Sequence, residues 1–206
     1  MKKEPHIAVL ILAAGASKRM DGIKQLMPWK DSNFLLETIK TVQKTNLSSI
    51  HVVLGANAEI IAAQCDFQDI KIITNPNWDK GLGNSIAYGV KVILKEKNTL
   101  DGILICLVDQ PLLTQKYLQS IVDVFKMHPT KIIATNYGNK AGVPALFPKL
   151  LFQKLCELEG DYGAKDILNN QQHAIIQLEA GNQIRDIDTK EEYNQLLNQT
   201  KNEHTH

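Results

Sequence analysis

Residues Ile7–Leu12 read IAVLIL, an unbroken apolar run that feeds directly into the small residues Ala13, Ala14 and Gly15. A strand with one face in water alternates polar and apolar side chains. An unbroken run belongs to a strand covered on both faces. Similar short runs follow at Ile50–Leu54, Ile70–Thr74 and Ile103–Val108, and Lys131–Thr135 reads as a further strand. Helical spacing lies between them: Leu35, Ile39 and Val42 within Phe34–Thr45, a short helix at Ala58–Cys65, Ile86, Val90 and Ile93 within Ser85–Leu94, and a helix at Leu118–Phe125. Strands alternating with helices predict an α/β fold, a mostly parallel sheet with helices on both faces.

The half after Tyr137 is less regular. It holds the segment GVPALFP, a helix near Leu150–Leu158, the turn Gly160–Gly163 and a last amphipathic segment, Glu191–Leu197. A chain of 206 residues fits one sizeable core. The expectation is a single domain over residues 1–200, divided into halves at about 7–112 and 113–197, with a polar tail at 201–206.

In such sheets ligands sit at the carboxyl ends of the strands. That edge gathers the loop after Leu12, Gly55-Ala56-Asn57, the stretch Asn75–Asn84 with Ser85 just beyond it, and Asp109-Gln110-Pro111. The first loop, LAAGASKRM with Lys24 beyond it, lets backbone approach a ligand, and its N–H groups can form an anion-binding concavity. Arg19 and Lys24 would supply cations to phosphate oxygens. The loop is neither a Walker A sequence nor GxGxxG, and its charges could equally be solvated. Asp109 follows an apolar strand, where a carboxylate is costly unless it meets a cation or water. It reads as a Mg²⁺ ligand or as a helix cap, although Thr114 is itself a competent cap. Asp188, in DIDTKEEY, is either a second metal ligand or part of a cap in which Asp188 or Thr189 pairs with Glu191 or Glu192.

Composition excludes several classes. A net charge of +1 provides no global field for nucleic acid or a membrane surface. No run approaches the roughly 18 apolar residues of a membrane span, and Glu4, Pro5 and His6 interrupt any resemblance of the N-terminus to a signal peptide. The cysteines, Cys65, Cys106 and Cys156, form no CxxC pair and are odd in number, which points to a reducing compartment, the cytoplasm. The histidines lack metal-ligand spacing, with His204 and His206 in the tail, and no GxSxG elbow is present.

Taken together, LAAGASKRM with Lys24, the apolar strand ending in Asp109-Gln110-Pro111, GVPALFP and DIDT resemble the MobA-like nucleotidyltransferases of molybdenum cofactor synthesis, and among them the cytidylyltransferases. The resemblance spans about residues 7 to 197 and implies that the half at about 7–112 binds the nucleotide and the half at about 113–197 the acceptor. It implies a three-layer α/β/α, Rossmann-like nucleotidyltransferase fold that uses Mg²⁺ and a nucleoside triphosphate. On this resemblance Leu12, Ala13, Ala14 and Gly15 fall in the nucleotide loop, with Gly55, Asn75 and Ser85 beside it. Arg19 and Lys24 match the phosphate-binding cations, Asp109 the metal-binding aspartate, and Asp188 a position near the metal. Gly142, Val143 and Pro144, with Asp161 and Gly163, match segments that face the acceptor. Guanylyl-transferring relatives tend to read LAGG where this chain reads LAAG, so Ala14 favours CTP over GTP. The chain departs from the family pattern at Asp21, which displaces a glycine by one, and at Val143, where GHP is frequent.

The expected reaction is Mg²⁺-dependent transfer of CMP from CTP to the phosphate of molybdopterin cofactor, with pyrophosphate released and a molybdoenzyme or its insertion chaperone as partner. Arg19, Lys24 and Asp109 would carry it. The rivals are the same enzyme using GTP, a cytidylyl- or uridylyltransferase for a sugar or polyol phosphate, and a non-catalytic nucleotide-binding accessory protein.

Overall fold

The structure, a computed structural model, describes residues 4–203 apart from 46, 48, 69, 97–98 and 171–173. In chain order the elements are β1 (Ile7–Ala13), a two-residue hairpin of β2 (Pro28–Trp29) and β3 (Ser32–Asn33), α1 (Phe34–Gln43), β4 (Ser49–Leu54), α2 (Ala58–Gln64), β5 (Lys71–Thr74), α3 (Leu82–Glu96), β6 (Gly102–Leu107), α4 (Gln115–Met127), β7 (Ile132–Asn136), β8 (Ala141–Pro148), α5 (Phe152–Cys156), α6 (Lys165–Asn169), β9 (Ile175–Glu179) and α7 (Lys190–Glu203). The main sheet runs β5-β4-β1-β6-β8-β7-β9. Every pairing is parallel except those made by β8, which is antiparallel to both β6 and β7.

The unbroken run of β1 is explained by its neighbours. Val9, Ile11 and Ala13 join a core with Phe34, Ile39, Tyr117, Phe125 and Leu196, from α1, α4 and α7. Ala8, Leu10 and Leu12 face the other way, into a core with Ile86, Val90, Leu155 and Ile167, from α3, α5 and α6. The three layers follow directly, since each alternate side chain of β1 has a helix above it. Gly89 brings α3 close to the sheet: a Cβ there would stand 2.7 Å from Leu10 and 2.8 Å from Val53.

Two caps fix the starts of helices near the ligand edge. Asn33 Oδ1 accepts from Leu36 N–H at 2.9 Å at the head of α1, and Thr114 Oγ1 accepts from Tyr117 N–H at 3.2 Å at the head of α4. The second half is more regular than its sequence indicates: GVPALFP is the core of β8, and β9 completes the sheet edge. Of the expected tail, residues 201–203 continue α7, and residues 204–206, with His204 and His206, lie outside the described residues, as does His173.

Candidate functional site

β4 and β6 flank β1 on opposite sides, and α1 and α3 pack on opposite faces. The crevice at such a topological switch point is where open α/β sheets bind ligands. Here the loop after β1 is held in shape by Gln25, which is buried and donates through Nε2 to the carbonyls of Ala13 at 2.6 Å and Gly15 at 3.1 Å. Ser17, at φ 54°, donates to Gln25 Oε1 at 3.3 Å and accepts from the Lys24 N–H at 3.0 Å. The sequence carries no local signal for this clamp; a lone glutamine after Lys24 acquires its role only once the loop folds over it.

The loop returns Lys24 into the crevice. Its Nζ lies 3.3 Å from Asp109 Oδ2 and 2.5 Å from Asp188 Oδ1, while Arg19 Nη2 donates to Asp188 Oδ2 at 3.1 Å. Residues separated by more than 160 positions thus form one charged cluster. Burial pushes the Asp109 carboxyl above its ordinary range, the nearby Lys24 opposes the shift, and Asp186 and Asp188 add to it. Burial also acts on Asp188, but hydrogen bonding and ion pairing with Lys24 and Arg19 outweigh it and hold that carboxyl low.

The structure decides both capping alternatives. Thr114 caps α4, so Asp109 is not needed there. Thr189 and Glu192 form the capping box of α7: Glu192 N–H donates to Thr189 Oγ1 at 3.2 Å, and Glu192 Oε2 accepts from Thr189 N–H at 2.9 Å and from Asp188 N–H at 2.7 Å. The Asp188 side chain is left to face the crevice. Ile187 is buried in the core, and its N–H donates to the Asp109 carbonyl at 2.9 Å, which ties the two acidic segments together.

These residues fit a divalent cation. Asp109 Oδ1 is buried with no hydrogen-bond partner among the described residues, and Lys24 already places a positive charge between the two carboxylates. Among the described residues no group of three or more His, Cys, Asp or Glu side chains is arranged to hold a metal. Asp109 and Asp188 could hold such an ion jointly with ligand phosphates.

The crevice opens as a cleft of about 440 Å³. Leu12, Ala13, Ala14, Gly15, Arg19, Lys24, Ser85, Asp109 and Asp188 line it, and so do Trp78 and Asp79, which sequence reading did not single out. Gly55 and Asn75 stand behind its wall. A Cβ on Gly55 would come within 2.5 Å of Trp78 Cβ and 2.6 Å of the Ala14 carbonyl, and buried Asn75 donates through Nδ2 to Asn84 Oδ1 and Ser85 Oγ, both at 3.1 Å.

A second cavity of about 380 Å³ adjoins the first and shares Leu12, Leu82 and Leu107 with it. Gly142 and Val143 line this second cavity, with Tyr137, Lys140 and Tyr162. Asp161 lines the first cleft instead, and Pro144 and Gly163 are buried behind the walls. Gln110, 1% exposed, supports the wall of the second cavity: its Nε2 donates to Tyr137 Oη at 2.7 Å and Asp186 Oδ1 at 2.9 Å, and Tyr137 Oη donates to the Val143 carbonyl at 2.6 Å. Burial raises the Tyr137 phenol, so it remains protonated as a donor.

A family model for the MobA-like NTP transferase domain matches residues 9–175. The chain belongs to this family. It is thereby a nucleotidyltransferase; such proteins bind a nucleoside triphosphate and a phosphorylated acceptor and generally use a divalent metal. Among its relatives are the purine catabolism protein PucB of Bacillus subtilis, 28% identical over 94% of this chain and 97% of that one, and the nicotine blue oxidoreductase of Paenarthrobacter nicotinovorans, 26% identical with the same coverage. The molybdenum cofactor cytidylyltransferase of Escherichia coli is 26% identical over 91% of this chain and 93% of that one. The structure of Rv0371c from Mycobacterium tuberculosis in complex with manganese superposes with a TM-score of 0.78 at 25% identity, covering 95% of this chain and 100% of that one. A nucleotidyl transferase from Methanothermobacter, at 19% identity and 93% and 95% coverage, shares the fold with a TM-score of 0.79. Among the described residues no helix of this MobA-like protein is long and apolar enough to cross a membrane.

Proposed function

We propose that the protein transfers CMP from CTP to the terminal phosphate of molybdopterin cofactor, in the cytoplasm and with Mg²⁺, releasing pyrophosphate. The observation that carries this reading is the junction of two cavities at Leu12, Leu82 and Leu107, one of them holding the Lys24–Asp109–Asp188 cluster. A donor in the charged cleft and an acceptor in the more apolar cavity would meet there. The relative named as a molybdenum cofactor cytidylyltransferase supports the choice of acceptor, and Ala14 in the cleft wall supports the smaller base.

An oxygen of the acceptor phosphate attacks the α-phosphorus of CTP. The new P–O bond forms as the bond to the β-phosphate oxygen breaks, and its electron pair leaves with pyrophosphate. The attacking oxygen is already anionic, so no general base is required; positioning and charge neutralisation supply the catalysis. Asp109 and Asp188 would hold the Mg²⁺, whose charge would offset that of the phosphates. Lys24 and Arg19 exchange their carboxylate partners for phosphate oxygens, and Gln25 keeps the loop in place while they do so. The product would pass to a molybdoenzyme or its insertion chaperone.

Pyrophosphate release should be measured with CTP, GTP, ATP and UTP, with and without Mg²⁺, against molybdopterin cofactor, a sugar phosphate and a polyol phosphate. Release that requires CTP, Mg²⁺ and molybdopterin cofactor together is expected. Preference for a sugar or polyol phosphate would overturn the acceptor assignment, and preference for GTP the base assignment. Because one relative is named a nicotine blue oxidoreductase, turnover of nicotine blue is a useful control and should be absent.

A further inference from the structure

The cleft is polarised along the sheet edge. Lys24 and Asp109 lie over the ends of β1 and β6, whereas Trp78 stands in the segment after β5, next to the end of β4. On the reading that this cleft takes a nucleoside triphosphate, its charged side suits the phosphates, and the Trp78 side is left for the base. We propose that Trp78 is the nucleobase platform of this protein: its half-buried indole forms the apolar wall on which the base of the bound nucleotide stacks.

The segment that carries Trp78 is fixed from several directions. At its start, Asn75 is fully buried, donates to Asn84 and Ser85, and accepts the Asn77 N–H at 3.0 Å. At its end, Gly81 donates its N–H to the Trp78 carbonyl at 3.2 Å and adopts φ +100°, which a side chain would strain. Gly83 N–H donates to the Gly160 carbonyl at 2.8 Å and anchors the head of α3 behind it. Beneath the indole, Gly55 has no room for a Cβ between Trp78 and the Ala14 carbonyl, and the Ala56 N–H holds that same carbonyl at 3.1 Å. Trp78 therefore packs on Gly55, which also borders the Ala14 carbonyl, and this succession of Ala14, Gly55 and Trp78 sets how far a base can enter.

The second tryptophan serves another purpose. Trp29 is 3% exposed, packs edge-on against Phe34 and donates through Nε1 to the Pro111 carbonyl at 3.2 Å. Trp78, by contrast, packs on the core with one part of its surface and lines the cleft with another. Stacking on an aromatic ring is sequence-tolerant, because every base presents a π-face. Trp78 thus gives affinity for the nucleoside, and the choice among bases falls to the groups around it.

The test separates base from phosphate. Binding of CTP and of inorganic tripolyphosphate, each with Mg²⁺ and no acceptor, is measured by calorimetry on the wild type, Trp78→Phe and Trp78→Ala, with circular dichroism to verify folding. Trp78→Ala is expected to weaken CTP binding about 10-fold or more, the scale of one lost base–aromatic stack, and to leave tripolyphosphate binding unchanged. Trp78→Phe is expected to retain part of the affinity. Wild-type tryptophan emission should change saturably with CTP, and that change should vanish in Trp78→Phe, where Trp29 still reports. Equal CTP affinity in all three proteins, or an emission change that persists in Trp78→Phe, overturns the platform while leaving the nucleotide site intact. Loss of CTP and tripolyphosphate binding together in Trp78→Ala makes Trp78 a structural residue of the loop and equally overturns it. Absence of CTP binding by the wild type overturns the nucleotide reading itself, and the platform with it.

Discussion

Lys24→Ala is the perturbation that most directly probes the site, because it has two consequences of different kinds. The first is catalytic. Loss of one preorganised charge donor at the transition state costs about 10²–10³ in kcat, about 2.7–4 kcal/mol. The second is structural. Removing one partner of a fully buried ion pair costs about 3–5 kcal/mol, whereas exposed pairs are worth about 0–1 kcal/mol. The Lys24 side chain is 11% exposed, but Asp109 and Asp188 are 23% and 37% exposed, so water screens the abandoned carboxylates. The expected loss lies between those limits, about 1–3 kcal/mol, and melting should fall by about 2–4 °C per kcal/mol for a chain of this size. The double variant Lys24→Ala/Asp109→Asn removes the buried charge that the single variant leaves uncompensated. It should recover part of the melting temperature and none of the turnover. Pyrophosphate-release kinetics and thermal melts of the metal-free proteins measure the two effects. A Lys24→Ala kcat within 10-fold of wild type would refute the role of the ammonium at the phosphates. Identical melting of wild type, single and double variants would refute the ion cluster.

Further outcomes follow from other parts of the molecule. Asp109→Asn alone should bring kcat below about a tenth of wild type, a barrier increase above ~1.4 kcal/mol, without lowering the melting temperature of the metal-free protein, since Asp188 still partners Lys24; kinetics and melts test both. Ala14→Gly should narrow a CTP-over-GTP preference of roughly 10-fold, within the range of about 1–3 kcal/mol for small steric changes in a pocket, as read by competition between the two nucleotides. Burial of His51 lowers its pKa despite its contact with Glu96, and the nearby Lys71 lowers it further. The native state then binds fewer protons than the unfolded chain below the unfolded value of about 6.5, so stability should rise with pH through that window and level off above it; urea midpoints from pH 5 to 8 should show this slope, and His51→Gln should flatten it. Burial pushes the Cys106 thiol up to about 12, so a thiol reagent should modify half-buried Cys156 first and reach Cys106 only after denaturation.

The first half of the fold is legible because its signals are local. Ile7–Leu12 shows two covered faces through its own composition, and Leu35, Ile39 and Val42 repeat at the helical period that places α1 over one of them. Asp109 could be located by its place after an apolar strand. Its freedom from capping duty could be inferred from Thr114, which the structure finds at the head of α4. For Asp188 the sequence offers two capping boxes of equal spacing, Asp188 with Glu191 and Thr189 with Glu192; the structure finds the second, which leaves the Asp188 side chain to Lys24. Gln25, Trp78 and Tyr137 were not legible in this way. Each owes its position to contacts across the chain: Gln25 to the carbonyls of Ala13 and Gly15, Trp78 to Gly55 and the core, and Tyr137 to Gln110 and Val143. No periodicity marks a residue whose partners belong to other elements.

The reversed strand explains how the second cavity comes to adjoin the charged cleft. In a wholly parallel sheet every strand would bring only its carboxyl end to the ligand edge. β8 runs against β6, with Gly102 opposite Pro148 and Ile105 opposite Ala145, so it is the amino end of β8 that lies near the end of β6. Ala141, Gly142 and Val143 are placed beside Leu107 at the second cavity for that reason. The reversal also orients backbone that a parallel strand would orient differently: the Val143 carbonyl accepts from Tyr137 Oη, Tyr137 accepts from Gln110, and Gln110 directly follows Asp109. The wall of the second cavity and Asp109 are thus joined by two side-chain hydrogen bonds and one peptide bond. Gly142 belongs to the same construction, because a side chain there would occupy the space of the Tyr137 ring. A substitution that displaces Tyr137 should therefore disturb the acceptor cavity first and Asp109 second, while Lys24, held from the loop side by Gln25 and Ser17, keeps its place.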